Sequence, residues 1–565
     1  MTRARLGALA LLLAVVPIGM APALAQGERG TGEVYLFLVP GVSFEELLGV
    51  PEIASLAAEG GAALMRLQGG LPTEGEPGIP PGETNVHQRW LEPGEGGLGA
   101  VADTIVETVR SAGGERVLVL VGSTTSSPAM VEAKDDLHPL VVAEGSASEL
   151  FRREEEARSL TSDSTRRSGV VTDLDVTPTI AEFFGVDPPV DSTGSTIRFS
   201  SDPAPFGLHE RYLAQRRMYV PVGTAAALYV TGVGLLAVAF LAGRAVVPAQ
   251  WRRVAGWATF SVPMLATGLL AAGHLSVLSY ATAVPMVAIV TVFGTMAFSP
   301  LERRDLTLVP AGIGLAVLAY FVLEALLGWT GMLTPLLGGS QLDGGRFYGL
   351  PNVAIGLLVG AALWLAQRVG TSRGFWLLCG LGLFAGLPLV GANLGGAVTS
   401  FAAAGLWLAV RERERLGVGK GLAAFLGVTA AGSLVILVAH AVSPVATHVT
   451  EFERDVDGLA GVIGKFVDRL QVGFDLIARS PAALVPVLGL PVALYVALRP
   501  PPSIRATFER WPAWRDAVLV TILAGLIAYV VNDSGPAAAG LAFGLGLGGM
   551  LGVSLLASAG KRGER

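Results

Sequence analysis

The chain has 565 residues, 52% of them hydrophobic and only 15% charged, with a formal net charge of −6 and one cysteine. Soluble domains carry about 25% charged residues, so this composition excludes a wholly soluble chain, and the lack of basic clusters interleaved with aromatics excludes nucleic acid as a partner. The lone Cys379 lies in an apolar run and rules out an intrachain disulfide and any CxxC-type metal site.

Residues 1–26 read as a secretory signal peptide. Arg3 and Arg5 form its basic start, Leu6 to Val16 its apolar stretch, and Ala23-Leu24-Ala25 its small-x-small cleavage pattern. Cleavage falls before Gln26; an uncleaved N-terminal anchor is the alternative. Either sends residues 27–217 across the membrane as an extracytoplasmic domain. There Val34 to Val39 and Val117 to Val121 are short apolar runs that end in turn residues, and Leu140 to Ala143 is a third. Helical patterns over Phe44 to Glu59 and Val101 to Ala112 alternate with them, which predicts an α/β domain with a mostly parallel sheet. Residues 70–99 read as an irregular loop and 186–217 as a linker into the membrane.

From Met218 to residue 560 the chain is expected to be an all-α polytopic bundle of about eleven transmembrane helices. They fall near 219–242, 256–273, 276–298, 307–328, 353–369, 375–391, 394–410, 421–442, 481–498, 516–531 and 537–558. One set of loops holds Arg252, Arg253, Arg303, Arg304, Arg411, Arg413, Arg415, Arg505 and Arg510; the alternate set is nearly free of net positive charge. The positive-inside rule therefore places the first set and the tail 561–565 in the cytoplasm of a plasma-membrane protein, with external loops 329–352 and 443–480. Phe452, Val456, Leu459, Ile463, Phe466, Leu470 and Phe474 recur at helical spacing, which predicts an amphipathic helix on the membrane surface. Gly544, Gly546 and Gly548 predict a small-residue packing face on the last span.

The run Thr172 to Val186, with Asp175, Pro178, Thr179 and Gly185, and the downstream Gly194 resemble the "D-x-x-P-T…G" helix and "G-x-S" element of the alkaline phosphatase/sulfatase superfamily. The strands ending at Pro40-Gly41 and Gly122-Ser123 resemble that superfamily's first strand and the strand before its metal-binding turn. The resemblance implies a truncated alkaline-phosphatase-like ectodomain of a bacterial cell-envelope protein. Enzymes of the superfamily use two metal ions held by Asp and His, beside a Ser or Thr nucleophile. Here Pro40 stands where the first strand should supply an Asp, and Ser123, Thr124, Thr125 and Ser126 stand where Asp-His-Gly should be. The expected metal set is none, no cofactor is called for, and the domain reads as a pseudoenzyme. An active metallophosphatase with relocated ligands is the least favoured alternative.

Polar groups inside lipid are functional candidates. His274, Glu324 and His440, with Asp343 and Arg346 in the external loop, are the candidates for acid–base chemistry. Tyr348, Asn352 and Asn393 are ligand-binding candidates beside them; Ser123, Thr124 and Thr125 are candidates at a strand end, and Arg166 and Arg167 as an anion-binding pair. Each has a plainer alternative: interfacial solvation, a polar turn, or ion pairing with Glu154 to Glu156. Asp173 or Thr177 is expected to cap a helix that Pro178 starts. The partners expected are membrane lipids and a lipid-linked or phosphorylated envelope substrate, handled by a transferase, polymerase or transporter. A non-enzymatic sensor or assembly factor is the alternative.

Overall fold

The structure, a computed structural model, describes residues 32–68, 85–94, 96–152, 156–189, 194–242, 247–343, 347–443, 484–532 and 534–560, with Ser192 and a few positions between 464 and 474. The signal segment, the tail, Arg346 and nearly all of the expected surface helix lie outside the described residues.

The N-terminal region is an α/β sheet layer. Its strands are β1 (Glu33–Leu38), β2 (Gly61–Arg66), β3 (Val86–Trp90), β4 (Val117–Gly122), β5 (Leu137–Gly145), β6 (Arg158–Ser162), β7 (Val170–Thr172) and β8 (Ile197–Pro203). They order as β3-β1-β4-β5-β2-β6-β8, with β7 also on β2. β1 lies parallel to β3 and β4, and β2 parallel to β6 and β7, but β5 runs antiparallel to both neighbours and β8 antiparallel to β6. The sheet is therefore mostly parallel, as expected, with β5 and β8 its two reversed strands.

Helices cover the sheet's two faces. α1 (Phe44–Leu48) and α2 (Pro51–Glu59) replace the single helix expected there, because Pro51 starts a new helix after Gly49 caps the first. α3 (Gly97–Arg110) and α4 (Pro128–Ala133) follow, and α5 (Val176–Phe184) packs on the opposite face, where Phe183 and Ile180 meet Val34, Leu36 and Leu118. The expected linker is part of the fold: it forms β8, and α6 (Phe206–Ala242) begins before the expected boundary at 217 and runs through it without a break. Its 37 residues span about 55 Å, so one rod belongs to both regions.

The C-terminal region is helical: α7 (Ala249–Ala271), α8 (Tyr280–Met296), α9 (Ser299–Glu302), α10 (Leu308–Leu326), α11 (Asn352–Val369), α12 (Thr371–Gly386), α13 (Leu394–Arg411), α14 (Arg413–Ala441), α15 (Leu484–Leu498), α16 (Pro502–Arg510), α17 (Pro512–Val531) and α18 (Gly535–Gly560). Among the described residues, 9 helices are long and apolar enough to cross a membrane. α12 stands at an expected span but has 16 residues, about 24 Å of rise against a hydrocarbon core of about 30 Å; α15, described from Leu484, stands within the expected ninth span.

Ion pairs Arg253–Glu302, Arg368–Asp305 and Arg411–Asp516 gather at helix ends remote from the sheet. Close approaches on α18 include Gly546, Gly549 and Gly552, where an added Cβ would press on Thr521, Trp364 and Thr259, whereas Gly544 faces open space. Gly356 of α11 is tighter still, since a Cβ there would run into the Ala538 carbonyl oxygen of α18. Gly356→Ala will therefore destabilise the detergent-solubilised chain by about 1–3 kcal/mol, while Gly544→Ala will leave its thermal midpoint unchanged or raise it.

Candidate functional site

The sheet region sits on the helices through a shared core. Leu333, Leu342 and Phe347, all from the loop between α10 and α11, are buried in one cluster with Phe44, Leu208 and Tyr212. Polar contacts ring that plug. Asp343 accepts from Tyr212 Oη at 2.7 Å and pairs with Arg216 Nη1 at 3.2 Å; Arg216 also bonds Asp136 at 3.0 Å and the Lys134 carbonyl at 3.0 Å. Asp343 thus serves the junction and does not stand with the acid–base candidates.

Arg166 and Arg167, expected in an open loop, turn into the helices. Arg167 is 8% exposed. Its Nε donates to the Phe347 carbonyl at 2.8 Å, Nη1 to the Gly328 carbonyl, and Nη2 to the Trp329 carbonyl at 3.3 Å and Gln341 Oε1 at 3.2 Å. Burial pulls its pKa down to about 10, against the negative charge of Glu324. Arg166 lies 3.8 Å over the Tyr348 ring and donates to the Pro388 carbonyl at 3.0 Å. Pro388 follows α12, so that short helix carries the chain from the basic end of the bundle back to the sheet.

Beneath Arg167 lies a buried polar group of the helical region. α7 ends in a 3-10 turn, Ala272–His274, and α10 presents Tyr320 and Glu324 one turn apart on one face. His274 Nε2 bonds Glu324 Oε1, which also accepts from Tyr320 Oη at 2.8 Å. Glu324 is wholly buried and its Oε2 has no partner among the described residues; the His274 side chain is 32% exposed. The turn Thr330–Met332 covers the pair. A Cβ on Gly331 would stand 2.5 Å from His274 Nε2 and 2.6 Å from Glu324 Oε1, so only glycine admits the lid at this distance.

Backbone strain collects at the same junction. The non-glycine residues with positive φ among the described residues are Lys134, Arg166, Trp329 and Ala392. Trp329 (φ 64°) precedes the lid and is held by its indole bond to the Val390 carbonyl at 2.8 Å. Arg166 and Lys134 are latch residues. Left-handed geometry costs such residues about 1–3 kcal/mol and persists where surroundings enforce it.

The other sequence candidates do structural work. His440 bonds the Gly386 carbonyl at 2.9 Å where α14 meets α12. Asn393 caps α13 through Gly396 N and donates to Asn352 Oδ1 at 2.8 Å. Ser123 Oγ accepts from Val42 N and donates to the Thr125 carbonyl, tying two strand ends; Thr125 is exposed. Glu154 lies outside the described residues. α5 starts at Val176, so neither Asp173 nor Thr177 caps it. Asp175 instead accepts from Ser162 Oγ, Thr172 N and Ser195 N, and Thr179 from Ile197 N. Among the described residues, no three His, Cys, Asp or Glu side chains are grouped to hold a metal ion. Tyr320 and Gly331 were not singled out in the sequence, although Tyr320 stands four residues before Glu324.

The helices are of the class that makes a multi-pass membrane protein, joined to an α/β sheet region. Comparison with protein-family models, curated proteins and solved structures finds no match to the chain.

Proposed function

We propose that the chain acts on a lipid-linked or phosphorylated envelope substrate at an outward-facing site whose acid–base pair is His274 and Glu324. The carrying observation is a fully buried carboxyl with one idle oxygen, joined to an imidazole that reaches solvent. In that arrangement His274 exchanges a proton with a substrate oxygen and Glu324 with Tyr320 holds the imidazole in place and balances its charge. A transferase or a proton-coupled transporter uses the same step.

The outward orientation is supported by the basic ends of the helices, which lie away from the sheet and suit the cytoplasm. The reading of the sheet region as alkaline-phosphatase-like rests on the motif residues Asp175 and Thr179, which with Ser195 N knot α5 to the strand-end loops. That knot is structural, and Pro40 and Ser123 offer no carboxylate or imidazole to a metal. The sheet region acts as a fixed roof over the site.

Glu324→Gln and His274→Ala, introduced into the source cell at unchanged protein level, will lower the flux of the envelope polymer or lipid-linked intermediate by about 100-fold or more. Normal flux in both variants, with loss on changing Ser123 or Thr124 instead, would favour the non-enzymatic sensor.

A further inference from the structure

Two guanidiniums share one buried carboxylate at the end of the bundle remote from the sheet. Asp516, near the start of α17, is 4% exposed. Its Oδ2 accepts from Arg411 Nη1 at 2.8 Å and its Oδ1 from Arg413 Nη1 at 2.8 Å. Arg411 closes α13 and Arg413 opens α14, so the carboxylate ties the turn between two helices to a third. The three side chains together carry one positive charge in excess. Arg411 Nε is buried and has no acceptor among the described residues, while the Arg413 side chain is 55% exposed. An N–H held away from water without a partner, beside an unbalanced charge, is costly until an anion completes it.

The surroundings fit a lipid headgroup. α13, α14 and α17 are of membrane-crossing length, and these are their ends on one side, where a headgroup layer meets such helices. α16 packs on α17 and α18 with Ile504 and Phe508 buried and Arg505 and Arg510 exposed, the pattern of a helix lying in that layer. Arg411 stands 5.6 Å from the Trp407 ring and Arg510 4.6 Å from the Trp511 ring, and tryptophan concentrates at the same depth. The turn 411–415 and the segment 505–516 each hold three arginines against two acids, an excess that a phosphate offsets, and a guanidinium fork matches phosphate oxygens. From that turn Val418, Leu422 and Leu426, four residues apart on α14, run away as an exposed apolar stripe. The geometry points to a binding site for an anionic phospholipid, with its phosphodiester on Arg413 and Arg411 and an acyl chain along the α14 stripe. The site is independent of the reading of His274 and Glu324.

The test is native mass spectrometry of the full chain in detergent, titrated with phosphatidylglycerol, phosphatidylcholine and glycerol 3-phosphate. One phosphatidylglycerol will be retained at concentrations where phosphatidylcholine, whose choline cancels its phosphate, is lost, and glycerol 3-phosphate will not displace it. Arg413→Gln leaves Arg411 and Asp516 as a neutral pair and will keep the thermal midpoint, but it will raise the phosphatidylglycerol concentration for half occupancy about tenfold. Arg303→Gln joined with Arg304→Gln takes two charges from another turn at the same end and will leave that concentration unchanged. Equal retention of phosphatidylcholine overturns the inference, because the bound lipid is then only the solvent of the helices. So does displacement by glycerol 3-phosphate, which marks a site for a soluble anion. Equal weakening in the Arg303 and Arg304 double variant, which marks diffuse charge, or undiminished retention in Arg413→Gln overturns it as well.

Discussion

Replacing Arg167 by methionine will destabilise the full chain by about 3–5 kcal/mol, because it strands buried acceptors on the far side of the junction. The carbonyls of Gly328, Trp329 and Phe347 and the Gln341 amide oxygen all take their proton from this one guanidinium. A buried acceptor left without a donor costs about 1–3 kcal/mol. Methionine keeps most of the volume, so packing loss is small and the effect reports the polar contacts. Lysine will rescue only partly, since one ammonium cannot meet four acceptors set around a planar fork. The readouts are the thermal midpoint in detergent and the rate of proteolytic cutting in the 328–347 loop. The functional consequence follows from position. Gly328 and Trp329 lead into the turn that places Gly331 on His274 and Glu324, so Arg167→Met will also reduce flux while leaving both acid–base residues in place. An unchanged midpoint with unchanged cutting would mean that the latch carries no energy.

The membrane helices were legible because lipid sets the length and polarity of each span, and apolar runs of that length have few other uses. The strands around Tyr35 and Val119 were legible for a related reason: short β-branched and aromatic runs that end at glycine or proline have one economical fate. β2 was not, since Gly-Ala-Ala-Leu-Met-Arg is written in helix formers and becomes a strand only because β5 and β7 flank it. β8 was hidden by its polar edge position beside β6, six of its seven residues being exposed or partly so. At the site, Glu324 and His274 drew notice as costly polar residues in apolar runs. Their pairing did not, because 50 residues separate them and only packing of α7 on α10 brings them together. Arg166 and Arg167 looked like a solvated pair because their acceptors are main-chain carbonyls more than 160 residues away, and a carbonyl leaves no mark in a sequence.

The stability of the chain will peak at about pH 5–6.5 and fall as pH rises through 9, and His209→Ala will remove that alkaline slope. His209 sits in the first turn of α6, ahead of its membrane-crossing part, with Nδ1 2.6 Å from Glu45 Oε1 and Nε2 2.9 Å from Asp135 Oδ2. Two carboxylates on two ring nitrogens require both nitrogens to donate, which only the imidazolium can do. Burial works against that charge, but the hydrogen bonds to Asp135 and Glu45 outweigh it and push the His209 pKa up to about 9. Because the folded value lies above the ordinary 6.5, this contribution is complete below about pH 6.5 and is lost as pH passes through 9. Glu45 works from the other side. Burial would raise it, yet the bond from His209 holds it below its ordinary 4.5, so its share is present above that value and fades in acid. His209→Ala leaves the Asp135 carboxylate, 3% exposed, without its cation, at about 3–5 kcal/mol. Adding Asp135→Asn to His209→Ala will recover part of that loss, because the unpaired buried charge is then gone. A midpoint that still declines above pH 7 in His209→Ala would move the alkaline sensitivity to another group and release this imidazolium from its role in anchoring α6 to the sheet.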